Sequence, residues 1–338
     1  MRSATSKKLE HEPQSIVDSD MTQPLNYCTH ACENMRALDD VIIGKQTPTV
    51  SRAILASAME CMVLMEKSEK FILPSWGTIF EKHEMELCVD VQIPTRLPYP
   101  IVAIEYPCPY DDPRCEPMLK HEKQSSKRIA LCVETEALEE HASLLKHMHE
   151  KHSGHLQGFY VYPVSYSDDL KLWIPPPCAM FFPRGGNESL NALKEHGLTV
   201  ILPLGISAYE IYPEKERPMR VMRDVADEAF SCLHLLTALA IDHGRYETLP
   251  APTKLNKKRA QKGRVPMYEY KVLDIVADIL QASPISKPHQ GGTHASPRMH
   301  KRRGHVRRLR SGRTTWVRNM IVGKPGTGAV EKEYAVHE

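Results

Sequence analysis

The chain is expected to fold as α+β: a mixed acidic body of helices and short strands, carrying a basic C-terminal β-hairpin module. Three observations predict this. Apolar residues recur at helical spacing in Ser51–Lys67 and Met219–Asp242. Short β-rich runs cluster at 71–106 and 159–182 instead of alternating regularly with helices, which favours α+β over a wound α/β order. Charge is also split along the chain. From Ala251 onward, 19 Lys and Arg face six Asp and Glu, a formal +13, whereas the preceding 250 residues hold 25 against 36, a formal −11.

At 338 residues, 41% hydrophobic and 25% charged, the chain is long and apolar enough to bury a sizeable core, and global disorder is excluded. The expected organisation is a flexible tail over 1–20, the body over 21–250 and the basic module over 251–338. No apolar run reaches the roughly 18–20 residues of a membrane span, and the first residues lack an apolar signal region. A cytoplasmic protein is therefore expected. Nine cysteines, an odd number, read as reduced thiols and not as a disulfide framework.

Taken in order, Tyr27–Ile43 has helical spacing, and Ser51–Lys67 places Ile54, Ala58, Cys61, Met62 and Met65 roughly on one face, with Thr49 or Ser51 as its cap. Phe71–Pro74, Met85–Ile93 and Ile101–Tyr106 read as strands. In Met85–Ile93 the residues Leu87, Val89, Val91 and Ile93 alternate with polar neighbours. After a polar loop, Arg128–Glu134 reads as a buried strand, and Thr135 is placed to cap a helix bearing Leu138, Ala142, Leu145 and Met148. Phe159–Ser165, Lys171–Ile174, Ala179–Phe182 and Thr199–Leu204 follow as strands, with a short helix near Ser189–His196. Met219–Asp242 is the strongest helix, and Gly244–Pro252 marks a boundary. Beyond it lie a basic connector, a strand and helix around Tyr268–Gln281, a Gly/Pro/His-rich linker and a hairpin of His305–Leu309 with Thr314–Arg318.

The connector Lys254–Arg264 holds six cations in eleven residues, including Lys257, Lys258 and Arg259. Such density releases counterions from a phosphate backbone and gives affinity without sequence preference. The plainer alternative is a solvated loop, or one that pairs with the acidic body. Nine of the 21 residues in Arg298–Arg318 are Lys or Arg, among them Arg302, Arg303, Arg307, Arg308, Arg310, Arg313 and Arg318. These arginines, with His305, are candidate phosphate contacts, and Trp316 is a candidate stacking platform for a base. The plainer reading makes Trp316 the hairpin's anchor on the body.

The runs KLNKKRAQKGRVPMYEYKVLDI, HASPRMHKRRGHVRRLRSGRTTWVR and VGKPGTGAVEKEY, together about a quarter of the chain, resemble the C-terminal module of uncharacterised bacteriophage and mobile-element proteins. Those proteins pair an R-G-H-x-R core with a W-V or W-I strand behind variable N-terminal regions. The resemblance implies a phage setting in a bacterial host and no particular reaction.

His305, flanked by Arg303 and Arg307, has the chemistry of a general acid or base for metal-free RNA cleavage. The cluster His147, His149, His152 and His155 lacks the H-E-x-x-H pattern and reads as a solvated helix end. Cys28/Cys32 and Cys108/Cys115 lack C-x-x-C spacing, so no metal or other cofactor is expected. The expected function is a non-enzymatic, nucleic-acid-binding phage protein acting through its basic module, with RNA and DNA both open. The alternative is a phage early effector that inhibits a host protein through its acidic body, for defence evasion or host takeover. The third reading is a ribonuclease using His305. A homo-oligomer is compatible with each, and a membrane partner with none.

Overall fold

A computed structural model describes residues 24–36, 38, 48–81, 84–85, 88, 96–109, 125–152, 156–176, 178–184, 199–201, 217–241, 244–275, 298–302, 304–311, 314–317, 320–322 and 324–329. Its framework is one mixed sheet with helices on both faces. Helices α1 (Tyr27–Met35), α2 (Pro48–Lys67), α3 (Leu138–His141) and α4 (Ser143–His152) share a core with one face, and α5 (Arg217–Ile241) packs on the other. None of the described helices is long and apolar enough to cross a membrane.

The sheet contains β1 (Glu69–Ile72), β2 (Ile101–Pro107), β3 (Lys127–Glu134), β4 (Gly158–Ser167), β5 (Leu172–Ile174), β6 (Ala179–Pro183), β7 (Thr199–Ile201), β8 (Tyr246–Leu249) and β9 (Tyr270–Leu273). Its order is β7-β6-β4-β3-β2-β1-β9-β8, with β5 paired to β4. The pairs β1–β2 and β1–β9 are parallel, and the others are antiparallel. Central strands are apolar on both sides because both faces are covered. In β3, Ile129, Leu131 and Val133 face the four-helix side while Ala130 and Cys132 face α5; β4 divides Tyr160, Tyr162 and Val164 from Phe159 and Val161 in the same way.

The strand expected over Met85–Ile93 begins differently. Glu84 and Met85 are helical and Cys88 lies in a turn. The Glu84 carboxylate accepts a hydrogen bond from the Glu81 amide at 3.0 Å, closing a local turn just before the run; residues 86, 87 and 89–95 lie outside the described residues. The helix expected near Ser189–His196 also lies outside them. Thr135 does not cap a helix through its side chain, because its hydroxyl accepts the Gly158 amide instead at 3.1 Å.

The chain does not leave this sheet at residue 250. Strand β9 sits between β1 and β8, so residues 270–273 complete the body's sheet. Beyond them are two small sheets. One joins β10 (Arg298–Arg302), β13 (Met320–Val322) and β14 (Lys324–Ala329), and the other is the hairpin β11 (His305–Arg308) with β12 (Thr314–Val317).

Candidate functional site

The basic connector is not a loop: Thr253–Gln261 forms helix α6. Asn256 ties it down, its amide donating to the Met267 carbonyl and its carbonyl oxygen accepting the Met267 amide, both at 2.8 Å. Arg259 also turns inward, donating to the Val265 carbonyl at 2.7 Å and to Glu33 of α1 at 2.8 Å. The guanidinium expected to meet phosphate is thus engaged inside the fold. The helix ends on Gly263, at φ +63°, whose amide donates to Ala260 while that of Arg264 reaches back to Arg259. This paired closure uses a left-handed residue that glycine adopts without strain. Lys254, Lys257, Lys258, Lys262 and Arg264 are exposed.

The hairpin pairs His305 with Val317, Val306 with Trp316, Arg307 with Thr315 and Arg308 with Thr314. Val306 and Trp316 enter the core on the α5 side, where the indole meets the Phe80 ring edge-on at 6.3 Å. A Cβ at Gly304 would lie 2.4 Å from the indole, so that backbone closes over the ring. Trp316, at 7% exposure, therefore holds the anchoring place and leaves no open face for a base, contrary to the stacking expectation. Arg307, Arg308 and Arg310 are exposed and His305 is half-buried. Arg302 lies at the end of β10, paired with Met320. Arg303, Arg313 and Arg318 lie outside the described residues.

The basic module therefore presents two surfaces. Helix α6 is fixed to α1, on the four-helix side, and the hairpin is fixed on the α5 side. Proximity in sequence concealed this separation, because β9 crosses the sheet between them.

Several buried ionisable groups escaped the sequence reading. Glu105, fully buried on β2, accepts the amides of Tyr27 and Cys28 at 2.9 and 2.8 Å and the Tyr270 hydroxyl at 2.7 Å. It caps α1, whose own N-cap Asn26 offers no side-chain bond. Burial pushes its carboxyl above the usual range while these donors oppose the rise. Glu60 of α2 serves α4 likewise, accepting the Leu144 and Leu145 amides and the Tyr162 hydroxyl. Lys70, lowered by burial, donates to the Ser68 carbonyl and lies 3.9 Å from the centre of the Tyr268 ring. Glu228 of α5 pairs with Arg128 at 3.1 Å, and burial raises its carboxyl to about 7. His234, lowered by burial to about 4, faces the Ile79 and Phe80 amides with Nδ1 at 3.3 and 3.4 Å. The one signal available was a lone charge inside an apolar run, as in IVAIEYP.

Among the described residues no group of three or more His, Cys, Asp or Glu is arranged to hold a metal ion. His149 meets the Tyr160 hydroxyl at 3.0 Å, and Cys28 and Cys32 are buried in α1.

The model of one protein family, described as AcrVA2-like, anti-CRISPR type V subtype A2 family, matches residues 92–324. That span runs from just before β2 into β14 and includes both basic surfaces. No curated protein and no solved structure matches.

Proposed function

The chain belongs to the AcrVA2-like family, anti-CRISPR type V subtype A2, and on that premise we propose that it is a phage protein that disables a host type V CRISPR defence by binding one of that system's proteins. The observation that carries this reading is the length of the match, 92–324, which takes in most of the sheet, α5 and the basic C-terminal strands together. The reading agrees with the effector alternative drawn from the charge split. The body carries the formal −11, and a surface rich in carboxylates suits a defence protein whose working surface is built to hold polyanions. Glu136, Glu139, Glu140 and Glu150 are exposed around α3 and α4, partly offset by Arg184 and Lys146.

The test is interference in living cells. Bacteria carrying a type V system targeted to a phage are challenged with and without this protein. Restored plaque formation, with a stoichiometric partner from that system retained on the tagged protein after nuclease treatment, is the expected result. Undiminished interference at verified expression would overturn the reading.

A further inference from the structure

We propose that helix α6 is a docking surface for a nucleic-acid phosphate backbone, distinct from the hairpin and carried by Lys254, Lys257, Lys258 and Lys262 with Arg264 beside them. At 3.6 residues per turn Lys254, Lys257 and Lys258 fall within an arc of about 100°, with Lys262 at the C-cap just beyond, while Asn256 and Arg259 occupy the far side and make the tethering bonds. The helix thus divides its residues: one side holds it to the fold and the other presents cations to solvent.

Three features point to phosphate. None of the ion pairs among the described residues involves these five side chains, whereas Arg259 and Lys271 nearby are each paired to a glutamate. Lys254 and Lys258 are also like charges one helical turn apart within α6, a spacing that disfavours a helix. The fold carries that cost with no internal acid on α6 to relieve it, and a polyanion would remove it. Finally, the surface is rigid. The Asn256 and Arg259 bonds and the Gly263 closure hold Lys254 and Lys258 about 6 Å apart along the axis, so phosphates in a row are met without first ordering a loop.

The chemistry is shared by single-stranded RNA, single-stranded DNA and duplex DNA, and the experiment separates them. Purified full-length protein is titrated against labelled 20-nucleotide oligomers of each kind from about 50 to about 200 mM salt, with polyglutamate as a non-phosphate polyanion. Four phosphate contacts predict a slope of log affinity on log salt near −3 for single strands or −4 for duplex, and for duplex about a hundredfold weakening over that range. The variant Lys254→Glu/Lys258→Glu should abolish most binding, and Lys254→Ala/Lys258→Ala should lower the slope by about two. Thermal melting checks that each variant is folded. Arg307→Glu/Arg310→Glu tests the hairpin as the competing surface and should lower the affinity by less than the α6 charge reversal does. The inference falls if no oligomer binds at low salt, if only the hairpin variant loses binding, or if polyglutamate binds as tightly as nucleic acid. These titrations use the isolated protein, so their outcome is independent of whether the host-defence assay succeeds.

Discussion

Replacing Gly304 by alanine should release the basic hairpin from the body. The new Cβ would lie 2.4 Å from Cζ2 and 2.9 Å from Cε2 of Trp316, closer than atoms approach without something moving. The neighbour is a rigid ring held by Phe80 and the core around α5, so the ring must shift. Overpacking of this kind costs about 1–3 kcal/mol, and full expulsion of the indole about 3–5 kcal/mol. Since the hairpin joins the core mainly through Val306 and Trp316, the loss falls on hairpin docking more than on the central sheet. A docking penalty of about 2 kcal/mol raises the open population roughly thirtyfold. Brief trypsin digestion read by mass spectrometry should show faster cleavage at Arg307, Arg308 and Arg310 by a similar factor, while cleavage within α5 changes little. Adding Trp316→Leu should recover part of the loss by relieving the clash. Unchanged hairpin cleavage in Gly304→Ala, at unchanged tryptophan fluorescence, would refute the reasoning.

Four further outcomes are expected. Arg259→Ala should cost about 1–3 kcal/mol in urea unfolding by stranding the Val265 carbonyl and Glu33, while Lys257→Ala stays within about 0.5 kcal/mol. Gly263→Ala should cost about 1 kcal/mol from its φ of +63° alone, because no atom lies within 4 Å of the added Cβ. Glu105→Leu strands two amides and the Tyr270 hydroxyl, so a loss of about 3 kcal/mol or more is expected by denaturant titration. Glu228 has a folded pKa of about 7 against an ordinary 4.5, so the native state holds this proton more tightly than the unfolded chain. Its contribution is fully present below about 4.5 and is lost as pH rises through 7, whereas that of His234 is present above 6.5 and is lost as pH falls toward 4. Glu228→Gln should therefore flatten the falling arm in a series of melting curves, and a wild-type arm that persists would exclude this assignment.

Much of the sheet was legible in advance. Ile101–Tyr106, Arg128–Glu134, Ala179–Phe182 and the long helix near Met219–Asp242 were each within a few residues of the observed elements. A strand with both faces covered shows a continuous apolar run, and an amphipathic helix shows its period. Of the Met85–Ile93 run only Met85, in a helical turn, and Cys88, in a turn, lie among the described residues, and a side chain bonding three residues back, as Glu84 does to Glu81, leaves no trace in hydropathy.

By itself, the sequence determined what neighbouring residues can encode: an α+β composition, the local periods, the hairpin's two strands, and the concentration of positive charge beyond residue 250. Tertiary structure decided where those charges go. Insertion of β9 between β1 and β8 ties the basic region into the body and separates α6 from the hairpin. Pairing between residues 202 positions apart, as for Lys271 and Glu69, or 226 apart, as for Arg259 and Glu33, depends on which faces the core brings together. The same is true of the Trp316 indole, whose exposure is set by Phe80, Gly304 and α5. Local sequence carries the propensity to be charged, helical or aromatic, while long-range packing determines whether such a group is spent inside the fold or presented to a partner.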